Sequence, residues 1–151
     1  MKRALSRQYT EIEATKTIAE IQQMLSEAGA EAVLLEYKDR RAVAVSFRIQ
    51  SEYGLISFQL PARVEQATRL MTRNRRIRNP AKWQLQAERT AWRVIWDLVD
   101  AQLATVKLGL TAITEVFLPY AQDSQGGTLY ERMRATRFAA LLPPPKPEAK
   151  P

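Results

Sequence analysis

The chain has 151 residues, 46% of them apolar, and a net charge of +7 from 23 basic and 16 acidic side chains. It contains no cysteine and no histidine, which excludes zinc sites built on those ligands, thiol nucleophiles and Ser-His or Cys-His catalytic pairs. The length fits one domain, and no run of about 18 uncharged apolar residues predicts a membrane span. We therefore expect a cytoplasmic, non-enzymatic protein without a cofactor.

The N-terminal region predicts a basic arm followed by a helix. Residues 1–16 have no clear period and a net charge of +2, so we interpret them as an arm. Thr17 and Glu20 have the spacing of a capping box, in which each side chain satisfies a free backbone N–H. Apolar residues then recur at helical spacing up to Gly29, a residue suited to the left-handed end of a helix. The prediction is a helix near 18–28.

Three strand-like runs come next and predict an antiparallel meander. They cover Glu31–Lys38, Arg41–Ile49 and Leu55–Leu60. Asp39-Arg40 and residues 50–54 form the short connections that favour antiparallel neighbours. In the second run, alternation predicts one inward face made of Val43, Val45, Phe47 and Ile49.

A long amphipathic helix is predicted over Trp83–Leu110, preceded by a short helical pattern within residues 62–79 and a break at Asn79-Pro80. Its apolar stripe has helical spacing and consists of Trp92, Trp96, Val99, Leu103, Val106 and Leu110. We interpret the stripe as core packing, with a stacking or partner surface as the alternative. Gly109 marks the expected end of the helix.

Short helices and a tail complete the predicted fold. Residues 111–118 have helical spacing, Thr128 is a candidate cap for a helix over Leu129–Ala140, and residues 143–151 form a proline-rich extended tail. The predicted organisation is therefore an arm (1–16), one α+β domain (17–142) and a mobile tail (143–151). Small sheet edges and a wide apolar helix favour a homo-oligomer.

The positive charge is concentrated in one segment. Residues 61–82 carry seven basic side chains and one acidic side chain, Glu65. Arginine forks match phosphate oxygens in pairs, so this segment predicts nucleic-acid or anion binding, joined by three arginines of the last helix. The candidate residues are Arg69, Arg73, Arg75, Arg76, Arg78, Lys82, Arg132, Arg134 and Arg137. A solvated basic face is the alternative.

Other candidate groups are weaker. Aromatic side chains that could stack on bases beside these cations are Tyr53, Tyr120, Tyr130 and Trp83. Asp97 and Asp100 are spaced to share a hard cation, but a solvated helix face explains them as well, and we expect no metal. Gly126-Gly127 before Thr128 could offer backbone N–H groups to an anion, although such glycines are also ordinary turn residues.

The chain resembles a family of small uncharacterised phage and prophage proteins over roughly residues 15–143. The resemblance is carried by Gly29-Ala30, Tyr37, Arg41-Ala-Val43, Phe47, Ile56, Phe58-Gln-Leu-Pro61, Ala87–Arg93, Glu115–Tyr120, Gly127-Thr128 and Leu141-Leu-Pro143. Arg73–Arg78 departs from the family pattern. The resemblance implies a phage or mobile-element origin, a host-cytoplasmic setting and a role in DNA metabolism or against host defence.

Three functions follow from these observations. The first is phosphate-directed binding of nucleic acid without sequence specificity, since no groove-reading motif is present. The second is an anti-defence protein that sequesters an anionic nucleotide signal. The third is a protein–protein interaction module that inhibits a host factor through the long helix or the tail.

Overall fold

The structure is a computed structural model that describes residues 11–147, and it has the predicted mixed α+β architecture. Residues 1–10 of the predicted arm (1–16) and the last four residues of the predicted tail lie outside the described part. The elements follow in the order α1 (Ala14–Glu27), β1 (Ala32–Lys38), β2 (Arg41–Ser51), β3 (Gly54–Pro61), α2 (Val64–Thr72), α3 (Pro80–Lys107), α4 (Ile113–Val116) and α5 (Leu129–Ala135). A 3₁₀ helix, Leu118–Tyr120, lies between α4 and α5.

The three strands form an antiparallel meander in the order β1-β2-β3, which confirms the prediction. Asp39 and Arg40 both have positive φ, 50° and 64°, the backbone of a type I′ hairpin turn. Phe47 pairs with Val33 on one side and with Phe58 on the other, so apolar side chains align on one face. The prediction that Val43 belongs to that face is wrong. A register shift leaves it without a β1 partner, and Ala42 is buried in the core instead.

Helix α1 begins a turn earlier than predicted. Glu13 is the N-cap residue and Ala14 the first helical residue, so the prediction that Thr17 caps the helix is wrong. Thr17 is buried inside the helix, and its hydroxyl donates to the Glu13 carbonyl at 3.5 Å. Ala14 extends the apolar stripe by one turn, and its burial favours the earlier start.

Helix α3 covers Pro80–Lys107, three residues upstream of its predicted range. The Asn79 side chain accepts a hydrogen bond from the Lys82 backbone N–H at 3.2 Å, and Pro80 occupies the first helical position. The helix ends in a Schellman motif, in which Gly109 (φ 71°) lets the N–H of Leu110 reach the Thr105 carbonyl. Leu110 is therefore past the helix and exposed, so its place in the predicted stripe is wrong.

The core lies between one sheet face and the pair α1 and α3, which pack along each other. From α3 it receives Trp92, Ile95, Val99 and Leu103, all buried, whereas Trp96 is half-buried. Phe117, just after α4, packs on the face of the sheet: its ring meets Phe47 of β2 edge-on at 5.3 Å and Phe58 of β3 at 6.4 Å. These contacts fix the C-terminal helices to the sheet.

Helix α5 is shorter than predicted. Thr128 caps it as expected, within a capping box completed by Glu131. It ends at Ala135 and not at Ala140, because Arg137 and Phe138 both adopt positive φ, 54° and 57°. Phe138 is half-buried, and its ring lies 6.0 Å from that of Tyr130.

Replacing Phe117 with alanine tests the core. Phe117 is fully buried, so Phe117→Ala should lower the free energy of unfolding by about 3–5 kcal/mol. Leu118→Ala is the matched control, because the neighbouring Leu118 is 51% exposed. Urea denaturation followed by circular dichroism measures both variants. Equal losses in the two would contradict the packing of Phe117.

Candidate functional site

The strongest concentration of positive charge lies on α2, the loop after it and the start of α3. We call residues 63–83 the basic hairpin: it comprises α2, the loop 73–79 and the first turn of α3. Helix α2 packs on α3, and none of its residues is fully buried. Seven basic side chains and one acidic side chain, Glu65, belong to the hairpin, which gives it a charge of +6.

Local backbone chemistry shapes the hairpin. The hydroxyls of Thr68 and Thr72 each donate to the carbonyl four residues earlier, at 2.8 Å, so they do not compete for outside partners. After α2 ends, Asn74 takes the left-handed conformation at φ 62°, which asparagine tolerates better than most residues. The Arg75 N–H donates back to the Thr72 carbonyl at 3.2 Å. Asn79 and Pro80 then start α3, so the loop has defined ends.

The cations of the hairpin project into solvent. All four loop arginines are exposed, as are Arg69 and Lys82. Within residues 11–147, no hairpin arginine forms an ion pair. The arginines farther along α3 differ, since Arg89 pairs with Glu13 and Arg93 with Asp97. The field of the hairpin is therefore not neutralised by neighbours in the described part of the chain.

One loop arginine has a fixed contact. The Arg75 guanidinium carbon lies 4.7 Å from the centre of the Trp83 ring, a cation–π geometry. Trp83 itself is half-buried. The predicted stacking residue thus already supports a cation of its own chain.

The C-terminal arginines belong to another part of the molecule. Arg132, Arg134 and Arg137 are exposed on and just after α5, which packs against the 3₁₀ helix beside β3. Arg132 also faces Asp123, with its Nε 4.0 Å from a carboxylate oxygen. The sequence grouped these three with the loop arginines, but the structure places them on a different element from the hairpin.

The tyrosines also lie on other elements. Tyr53 is 90% exposed in the turn between β2 and β3. The hairpin lies toward the other end of β2, where Arg41 reaches Glu88 of α3 at 3.7 Å. An 11-residue strand spans about 35 Å, so Tyr53 is far from the loop arginines. Tyr120 packs against the core from the 3₁₀ helix, and Tyr130 lies on α5.

The loop before α5 already contains an anion of its own. A carboxylate oxygen of Asp123 accepts hydrogen bonds from the backbone N–H groups of Gln125 (2.9 Å) and Gly127 (3.1 Å). The sequence predicted that Gly126-Gly127 could hold an external anion, but the Gly127 N–H already donates to a carboxylate of the same chain. A nearby cavity of about 470 Å³ is lined by Asp123, Ser57 and Gln122 among others, a polar lining with an acidic member.

A polar cluster on the outer face of the sheet was not predicted. The Glu36 carboxylate accepts from the Ser46 hydroxyl at 2.7 Å and from the Gln59 amide at 3.0 and 2.8 Å. The three residues come from β1, β2 and β3. Polar residues at alternate positions of the three strands could have indicated a polar face of the sheet. Which of these residues meet depends on the register of the strands.

Comparisons of the chain with protein-family models, curated proteins and solved structures find no match. The resemblance to phage proteins therefore stays a prediction from the sequence. No helix in residues 11–147 is long and apolar enough to cross a membrane. In the same residues, no group of three or more acidic side chains is placed to hold a metal ion.

Removal of the Asn79 cap tests how the hairpin is built. Asn79→Ala leaves the Lys82 N–H without its side-chain acceptor and should lower the free energy of unfolding by about 1 kcal/mol. Asn79→Ser is the control, because serine also caps helices and should retain most of the stability. Urea denaturation measures both variants, and an alanine variant as stable as the wild type would show that the cap is not used.

Proposed function

We propose that this protein is a non-enzymatic nucleic-acid-binding protein that holds phosphates with its basic hairpin. The observation that carries the proposal is the loop between α2 and α3. It places four exposed arginines within six residues, Arg73–Arg78, and none of them is ion-paired within the described residues.

The chemistry of arginine supports a phosphate ligand. A guanidinium group presents N–H donors in a planar fork that matches two phosphate oxygens. Binding several phosphates releases condensed counterions, so affinity should fall steeply with salt. Lys82 lies in the first turn of α3, where the partial positive charge of a 28-residue helix adds to the same field.

The proposed recognition is independent of sequence. The loop arginines precede the first turn of α3 and do not lie along a helix face that could enter a groove. Phosphate contacts position a protein on nucleic acid, whereas contacts to base edges specify a sequence. With the phage resemblance, the proposed setting is the host cytoplasm and the proposed role is that of a phage accessory protein.

Two sets of three arginines provide a matched test of this proposal. The variant R73Q/R76Q/R78Q should weaken binding to labelled DNA by at least about tenfold at 50 mM salt, since three phosphate contacts are lost. The variant R132Q/R134Q/R137Q removes the same charge from α5 and the residues just after it, and should change the affinity by less than about threefold. Fluorescence anisotropy, with duplex and single-stranded DNA in separate titrations, measures both.

The two variants distinguish binding of DNA by the hairpin from attraction of DNA by the net charge of the whole protein. Equal losses in the two variants would mean that net charge and not the hairpin attracts DNA. Wild-type protein that binds neither form of DNA at low salt, or binds without salt dependence, would overturn the proposal.

A further inference from the structure

We infer that the basic hairpin takes double-stranded nucleic acid in preference to a single strand, and that Trp83 acts as a support for Arg75 and not as a base-stacking surface. The inference rests on the proposed function and specifies its ligand. It follows from where the aromatic rings and the cations of the hairpin lie.

The ring that could stack on a base is already covered. Arg75 lies over Trp83 with 4.7 Å between the guanidinium carbon and the ring centre, and the indole is half-buried. An incoming base would have to displace the guanidinium and lose the cation–π contact. Proteins that bind single strands combine a basic groove with aromatic rings that are free to stack, and this ring is not free.

Other aromatic candidates are too far from the loop or belong to other elements. Tyr53 lies at the end of β2 remote from the Arg41–Glu88 contact. Tyr130 contacts Phe138 on the C-terminal segment. The phenylalanines Phe47, Phe58 and Phe117 are fully buried. Trp83 is the only aromatic residue in the sequence of the hairpin, and Arg75 already lies over its ring.

The cations themselves suit a duplex. Arg69 lies on α2 and Lys82 on α3, and packed helices have axes about 8–10 Å apart, so the charged surface is broader than one helix. A DNA major groove is about 12 Å wide between its phosphate walls. A duplex also offers one charge per about 1.7 Å of its axis, twice the density of one strand. Contacts limited to phosphates thus favour the duplex.

The contact with Trp83 gives Arg75 a defined role. A guanidinium that stacks on a ring keeps its edge N–H groups available for a phosphate. The stacked side chain has fewer conformations to lose when it binds, which reduces the entropic cost of the contact. Trp83 is then a positioning residue, and its effect on affinity passes through Arg75.

A double-mutant cycle tests this assignment. The probes are a mixed-sequence DNA duplex and an oligothymidine that carry the same number of phosphates, titrated at equal salt. Wild-type protein should bind the duplex at least about tenfold more tightly. Arg75→Ala and Trp83→Leu should each weaken duplex binding about three- to fivefold, and the double variant no more than the stronger single one. Trp83→Phe retains a ring and should bind like the wild type.

The results distinguish this inference from the proposed function. Binding to oligothymidine as tight as to the duplex would overturn the inference while leaving nucleic-acid binding intact. A Trp83→Leu loss confined to oligothymidine, or additive losses in the cycle, would assign the ring to stacking and also overturn it. Absence of binding to either probe would instead overturn the proposed function. Thermal unfolding of each variant confirms that it is folded.

Discussion

The packing of α3 against the core sets the position of the basic hairpin, because the first turn of α3 is part of that hairpin. The large fully buried apolar side chains of α3 are Trp92, near the middle of the helix, and Val99 and Leu103 in its second half. A helix of 28 residues is about 42 Å long. Packing these side chains in the core therefore sets the direction of the whole helix axis. Helix α2 also packs against α3. The core thus determines where the hairpin points, although the hairpin contributes little to the core.

The described residues include both ion-paired and unpaired arginines. On the body of the domain, three arginines are paired: Arg41 with Glu88 and Arg89 with Glu13 across elements, and Arg93 with Asp97 along α3. Surface pairs of this kind contribute at most about 1 kcal/mol each, but they remove local excess charge. The loop 73–79 has no such partners within the described residues and retains its field, which acts over about a Debye length.

Local patterns predicted the elements because each one has a local cause. The repeat of Trp92, Val99 and Leu103 located α3, and Asp39-Arg40 located the first hairpin turn. The start of α1 was missed because Thr17 matches a capping box, whereas burial of Ala14 decided the boundary. The Arg75–Trp83 contact and the Glu36 cluster also could not be predicted. The first joins residues across a helix start, and the second depends on the register of three strands.

A polyanion that binds this protein should lie on the basic hairpin formed by α2, the loop 73–79 and the first turn of α3. Amide hydrogen exchange, measured at low salt with and without a saturating DNA duplex, tests this prediction most directly, because it reports the position of the ligand without any substitution. A duplex held by the basic hairpin should slow exchange in peptides that cover residues 64–83 and leave peptides from the three strands and from α5 unchanged. Protection centred on residues 118–138 or on the sheet would contradict it.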